Sequence, residues 1–85
     1  MKLTAEISLY PLTEKYIEVI KAFIHAASQH DGVTLVTNAM STQVSGDFDS
    51  VMHLVSREFK ASFEKYGRQV LVCKFIPGEL EIRQQ

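Results

Sequence analysis

Residues 37–47 read TNAMSTQVSGD. Five hydrogen-bonding side chains, Thr37, Asn38, Ser41, Thr42 and Gln43, fall within seven residues, with Met40 among them. Hydroxyls and carboxamides both donate and accept while carrying no charge; a merely solvated strand face usually carries charges instead. With Glu6 and Ser8 from the N-terminal segment AEISLYPL, they can line a neutral-to-acidic pocket. Such a pocket suits a small polar heterocycle, neutral or cationic. The structural alternative is a hairpin of turn formers running into a helix. It accounts for Ser45, Gly46 and Asp47, where glycine relieves a corner and aspartate caps a helix. It accounts less well for the five side chains before them.

Other chemistries fit poorly. Glu6 and Asp47 are an acid/base pair only if folding brings them together, and no nucleophile motif or metal motif accompanies them. His25 and His30 are five residues apart, a poor spacing for one helical face, and His53 falls on the solvent side of a later helix; surface positions are expected for all three. The spacings that support a metal site are absent. Cys73, the single cysteine, lies between Val72 and Lys74 in an apolar strand and reads as a small buried hydrophobe. The sequence therefore points to binding without catalysis, cofactor or metal.

The formal net charge of -1 leaves no basic stripe for a phosphate backbone or an anionic membrane surface. One cysteine permits no intrachain disulfide. MKLTAEISLY alternates rather than forming a signal peptide's apolar run, and no stretch has the length and apolarity of a membrane span. These features predict a cytoplasmic protein. At 85 residues the chain makes one domain, 1–85, with a small core, so self-association would help it.

The elements that must position these residues follow from periodicity. Leu3, Ala5, Ile7 and Leu9 alternate with Thr4, Glu6, Ser8 and Tyr10, which predicts a half-buried strand stopped by Pro11. Thr13 is the expected N-cap of a helix over 14–30, with Ile17, Ile20, Ile24 and Ala27 as its apolar stripe, Phe23 broadening it, and Gly32 near its C-cap. Residues 33–39 predict a second strand, 40–42 a turn and 42–46 a third strand. Asp47 is expected to cap a second helix whose face carries Phe48, Val51, Met52, Val55, Phe59, Ser62, Phe63 and Tyr66, ended by Gly67. Residues 69–76 predict a last strand, stopped by Pro77-Gly78. The tail ELEIRQQ alternates weakly, and either extends an edge or stays loose.

Strand, helix, strand, strand, helix, strand is the ferredoxin-like split βαβ arrangement, an α+β fold. Right-handed crossovers put both helices on one face of a four-stranded antiparallel sheet. The other face has no helix, so Thr4, Glu6 and Ser8 meet water, a partner or a ligand there. The fold alone does not choose a function. An RNA-recognition version needs aromatics on its central strands; here Tyr10 and Phe75 have no aromatic pair in the third strand. A metal-chaperone version needs Cys-x-x-Cys after the first strand, where this chain has YPLT. An acylphosphatase-like version needs an arginine there, and none precedes Arg57.

AEISLYPL at 5–12, followed by a helix and then TNAMSTQVSGDFDSV at 37–51, resembles the YkoF-like family that binds thiamine and hydroxymethylpyrimidine. It is similar to small thiamine-binding proteins whose hairpin reads roughly Thr-x-x-Met-x-Thr-x-x-x-Gly-Asp/Glu, here Thr37, Met40, Thr42, Gly46 and Asp47. The resemblance covers nearly the whole chain. It implies non-catalytic binding of thiamine or its pyrimidine precursor, and assembly of domains through their sheets. The YkoF type carries two domains in one chain; a homodimer or homotetramer would replace that tandem here. Ser8 and Tyr10 would form the strand side of the pocket, and Thr37, Asn38, Met40, Ser41 and Thr42 the hairpin side. Glu6 suits the exocyclic amine, a protonated ring nitrogen or the thiazolium, and Met40 or Tyr10 the ring face. A phosphorylated form fits less well, since Asp47 and Asp49 occupy the second helix's N-terminus. The alternative function is a regulatory or interaction domain that self-associates through its sheet with no small ligand.

Overall fold

A computed structural model describes residues 1–82. In chain order the elements are β1 (Lys2–Pro11), α1 (Tyr16–Ser28), β2 (Val33–Thr37), β3 (Thr42–Asp47), α2 (Phe48–Tyr66) and β4 (Gln69–Pro77). The strands form one antiparallel sheet in the order β2-β3-β1-β4. This is the ferredoxin-like α+β fold that the alternation predicts. No helix among the described residues is long and apolar enough to cross a membrane.

The period of two in β1 decides which face is which. Leu3, Ala5, Ile7 and Leu9 are buried, together with Val44 of β3, Val19, Phe23 and Ala27 of α1, and Val51, Leu54 and Val55 of α2. Both helices therefore share one side of the sheet. The stripe of α1 is rotated from its expected centre: Ile17 is exposed, Ile20 and Ile24 are half-buried, and Val19 leads into the core. Likewise on α2 Leu54, which the expected face left out, is fully buried along with Val51, whereas Phe48, Met52 and Phe63 are substantially exposed. Both helices carry apolar residues over a wide arc, and only docking selects the part that faces the sheet.

Several termini differ from expectation for local reasons. The Leu12 amide donates to the Arg68 carbonyl at 3.1 Å, holding the chain beside β4 beyond Pro11. The first helix starts two residues late as a result, with Lys15 rather than Thr13 at its N-cap; Thr13 Oγ1 only approaches the Lys15 amide at 3.4 Å. Its C-cap is Gln29, and Gly32 (φ 79°) turns the chain into β2 instead. β2 stops at Thr37, two residues short. Asp47 stands at the N-cap of α2, but its side chain makes no capping bond and pairs with Lys2 Nζ at 3.2 Å. Gly67, with φ 90°, ends α2 as expected. Gly46 is needed for a different reason from a corner: a Cβ there would lie 2.5 Å from the Gly32 carbonyl oxygen.

The face without helices is not bare throughout. After β4 the chain folds back as a strap. Gly78 N–H donates to the Lys2 carbonyl at 2.8 Å. Thr4 Oγ1 donates to the Gly78 carbonyl at 2.9 Å and accepts from Leu80 N–H at 3.0 Å. Thr4 is thereby only 5% exposed, and Ser45 beside it is buried too. The described part of the tail, to Ile82, thus lies across one half of the face. Residues 83–85, the end of ELEIRQQ, lie outside the described residues. The half bearing Glu6, Ser8 and Tyr10 is left open.

Candidate functional site

The β2–β3 hairpin builds the site. Asn38 Oδ1 accepts from the Met40 and Ser41 amides at 2.8 and 3.1 Å, while Asn38 N–H donates to the Ser41 carbonyl at 3.0 Å. This Asx-type turn is what an asparagine favours. Its carboxamide oxygen is committed to the turn, so the Nδ2 end is what Asn38 can offer a ligand. The turn throws Met40 outward, 86% exposed, and directs Ser41 back toward β1.

Two hollows flank this hairpin. One, of about 330 Å³, lies between the hairpin, the end of β1 and α1, with Ile7, Leu9, Ile20 and Ile24 contributing apolar wall. Thr37, Asn38 and Thr42 belong to it; Thr37 Oγ1 and Thr42 Oγ1 are 3.0 Å apart. The other, of about 300 Å³, lies on the open face and includes Glu6, Val72 and Lys74. Ser8, Tyr10, Met40 and Ser41 line both. All eight residues singled out in the sequence therefore meet around one hairpin, on either side of Met40. Each hollow matches the lower end of the size range of small-molecule sites.

A polar relay organises the open-face hollow. Gln43 Nε2 donates to Ser41 Oγ at 2.8 Å, and Ser41 Oγ donates to Glu6 Oε2 at 2.9 Å. Glu6 Oε1 is 3.7 Å from Lys74 Nζ. β1 register explains this meeting: Glu6 pairs with Gln43 on one side and Lys74 on the other. The carboxylate thus has one oriented oxygen and one loosely paired oxygen, at the edge of an uncharged polar rim. That arrangement can accept from an amine or sit beside a cation.

Three features of the structure are not evident from sequence pattern. Ile20 and Ile24 look like core residues but form wall; the signal was an apolar arc on α1 wider than one sheet contact uses. Lys74 stands out by no motif, although the alternation of β4 puts it on the face of Glu6. The third lies elsewhere: His30 Nε2 and Glu58 Oε2 are 2.6 Å apart, with side chains 15% and 10% exposed. His30 is therefore not the surface residue expected. His53 packs edge-on against it at 5.8 Å, and Arg57 Nε lies 3.9 Å from the same carboxylate. Among the described residues no three His, Cys, Asp or Glu side chains are placed to hold a metal ion.

Asp47 is held by Lys2 at the far end of β1, where Lys2 pairs with it across the sheet; Glu6 pairs with Gln43, four positions along. The two carboxylates are not an acid/base couple. Cys73 faces the helices opposite Ile7, half-buried on the edge strand β4 rather than buried in a central one. Burial pushes its thiol above the ordinary cysteine value, which disfavours the nucleophilic thiolate.

Solved structures share this architecture. A protein of Thermotoga maritima described for thiamine biosynthesis or salvage is 26% identical, with a TM-score of 0.83 over 96% of this chain and 91% of its own. A Streptococcus pneumoniae protein is 24% identical, with a TM-score of 0.81 over 94% of this chain and 90% of its own. A domain from Bacillus cereus of the DUF77 group is 22% identical, with a TM-score of 0.80 over 96% and 84%. The last two show the fold alone. No functionally curated protein matches the sequence. Residues 5–75, from the middle of β1 almost to the end of β4, match the family described as thiamine-binding protein. By that match the chain belongs to the thiamine-binding protein family.

Proposed function

We propose that the protein binds thiamine or its hydroxymethylpyrimidine moiety, without catalysis, around the 37–42 hairpin. One observation carries this reading: an apolar-walled hollow and a hydroxyl-lined hollow with an oriented carboxylate share the same four residues, Ser8, Tyr10, Met40 and Ser41. A ring-bearing ligand with an amine or a cationic nitrogen needs both. Ring faces gain from contact with Tyr10, Met40 and the isoleucine wall. Ring edges gain from Ser8, Ser41, Thr37, Thr42 and the Asn38 amide. Glu6 takes the amine or the positive charge. The name of the Thermotoga maritima relative and the family match favour this ligand class.

Titration calorimetry with thiamine and with hydroxymethylpyrimidine tests the proposal. Saturable heat that Glu6→Gln and Tyr10→Ala weaken, with far-ultraviolet dichroism unchanged, is expected. Absence of heat with both compounds would refute it.

A second reading has its own observation. Val70, Val72 and Ile76 project from β4 on the open face, each nearly half exposed, next to the Glu6 hollow. Apolar side chains grouped on a strand face favour burial against a second copy. In this reading a homodimer or homotetramer forms through the sheet, and a subunit-interface ligand is compatible with it. Native mass spectrometry of the purified protein counts subunits and retained ligand together. Monomers whose elution is indifferent to Val72→Lys would exclude assembly by this face.

A further inference from the structure

We propose that Lys74 is a resident competitor for Glu6, displaced by a cationic ligand, and so sets the affinity of the site according to ligand charge. This rests on the binding function proposed above.

The two oxygens of Glu6 are held unequally. Oε2 accepts from Ser41 at 2.9 Å, and Ser41 is itself fixed by Gln43 at 2.8 Å. Oε1 is 3.7 Å from Lys74 Nζ, beyond hydrogen-bond length. The lysine side chain is 75% exposed and that of Glu6 45%, so the pair is screened and easily opened. Lys74 has a long flexible stem on an edge strand, with three rotatable donors. Nothing in that geometry suits it to fix a planar ring.

Its position gives the pair a consequence. Glu6 and Lys74 line the open-face hollow beside the hairpin, and they also line a second one of about 210 Å³ that reaches Leu80 and Ile82 of the strap. The ion pair sits where the two meet. A cation approaching Oε1 meets the lysine charge at the same oxygen, and must drive it toward solvent or endure the repulsion. A neutral aminopyrimidine, even with its amine donating to Glu6 beside Ser8 and Ser41, carries no charge for the lysine to repel and so meets no such contest. Removing the lysine charge therefore strengthens binding of a cation selectively.

The test is calorimetry at mildly alkaline pH, where thiamine keeps its thiazolium charge and hydroxymethylpyrimidine is neutral. Wild type, Lys74→Met, Lys74→Gln and Lys74→Arg are compared at low and high salt. Lys74→Met and Lys74→Gln are expected to tighten thiamine roughly two- to five-fold, the range an exposed ion pair represents. The neutral pyrimidine should be unchanged, Lys74→Arg should match wild type, and high salt should shrink the difference. Dichroism checks folding, and the glutamine variant serves if methionine on the edge strand causes aggregation. Unchanged or weaker thiamine binding in folded Lys74→Gln overturns the proposal, as does an equal shift for both compounds. Wild type that binds neither compound instead overturns the binding function itself, and this inference with it.

Discussion

Ser41 and Glu6, 35 residues apart in sequence, meet at 2.9 Å across the β1–β3 seam, hydroxyl to carboxylate. The contact joins the hairpin to the sheet face and fixes one oxygen of the carboxylate. Without it the hairpin tip and the charge it faces would move independently. Ser41→Ala is expected to weaken thiamine binding by about 1 kcal/mol, roughly five-fold, since a bond to a charged acceptor near solvent is lost. Calorimetry checks this. Thermal stability should change little, because the pair is only partly buried.

Gly46 controls how closely β3 approaches the turn before β2. A methyl group there would sit 2.5 Å from the backbone oxygen of Gly32, which cannot rotate away. Gly46→Ala should destabilise the fold by about 1–3 kcal/mol, the usual range for overpacking. In a domain of this size each kcal/mol lowers the melting temperature by about 4–8 °C. A melt no lower than that of wild type would contradict this steric account.

His30 and Glu58 tie the exit of α1 to the middle of α2. Removing the imidazole leaves a mostly buried carboxylate with Arg57 at 3.9 Å. His30→Ala should cost about 1–3 kcal/mol in denaturant unfolding, mostly as the penalty of the unmatched acceptor. Ligand binding should be unaffected, since the pair lies apart from the hairpin.

Cys73 should resist alkylation. Its raised pKa means less thiolate at a given pH than a free cysteine has. Iodoacetamide labelling of the native protein should be slower than labelling of the urea-unfolded chain, and should accelerate only as the pH rises above the ordinary thiol range. Equal rates would show that burial does not protect the sulfur.

What the sequence made legible were features carried by short-range pattern. The alternation in β1 separates Leu3, Ala5, Ile7 and Leu9 from Thr4, Glu6 and Ser8, and it also implies the two-faced sheet. The crowding of Thr37, Asn38, Ser41 and Thr42 marks the hairpin because turn chemistry and hydrogen-bonding capacity reside in the same residue types. Features that depend on distant partners, or on which atom of a side chain a local turn consumes, were hidden. Asn38 looks available until its oxygen is seen holding the turn. Asp47 has the residue type of a cap, yet Lys2 lies across the ladder and takes its charge. The strap needs Thr4, at the opposite end of the chain, as both its donor and its acceptor. On α1 the periodicity establishes a helix, but apolar residues spread over a wide arc leave its rotation undetermined until the sheet and hairpin are in place.

That rotation divides labour on a single helix. Val19 and Ala27 anchor it, Phe23 is buried and also reaches the hollow, and Ile20 and Ile24, half-buried on the adjoining edge, border it. Evolution can therefore resize or reshape the cleft at two positions while the anchors stay fixed. With the proposed ring ligand in that hollow, descendants of one scaffold can drift toward bulkier or slimmer rings with little loss of foldedness, so differences at 20 and 24 between relatives are the natural place to look for altered ligand choice.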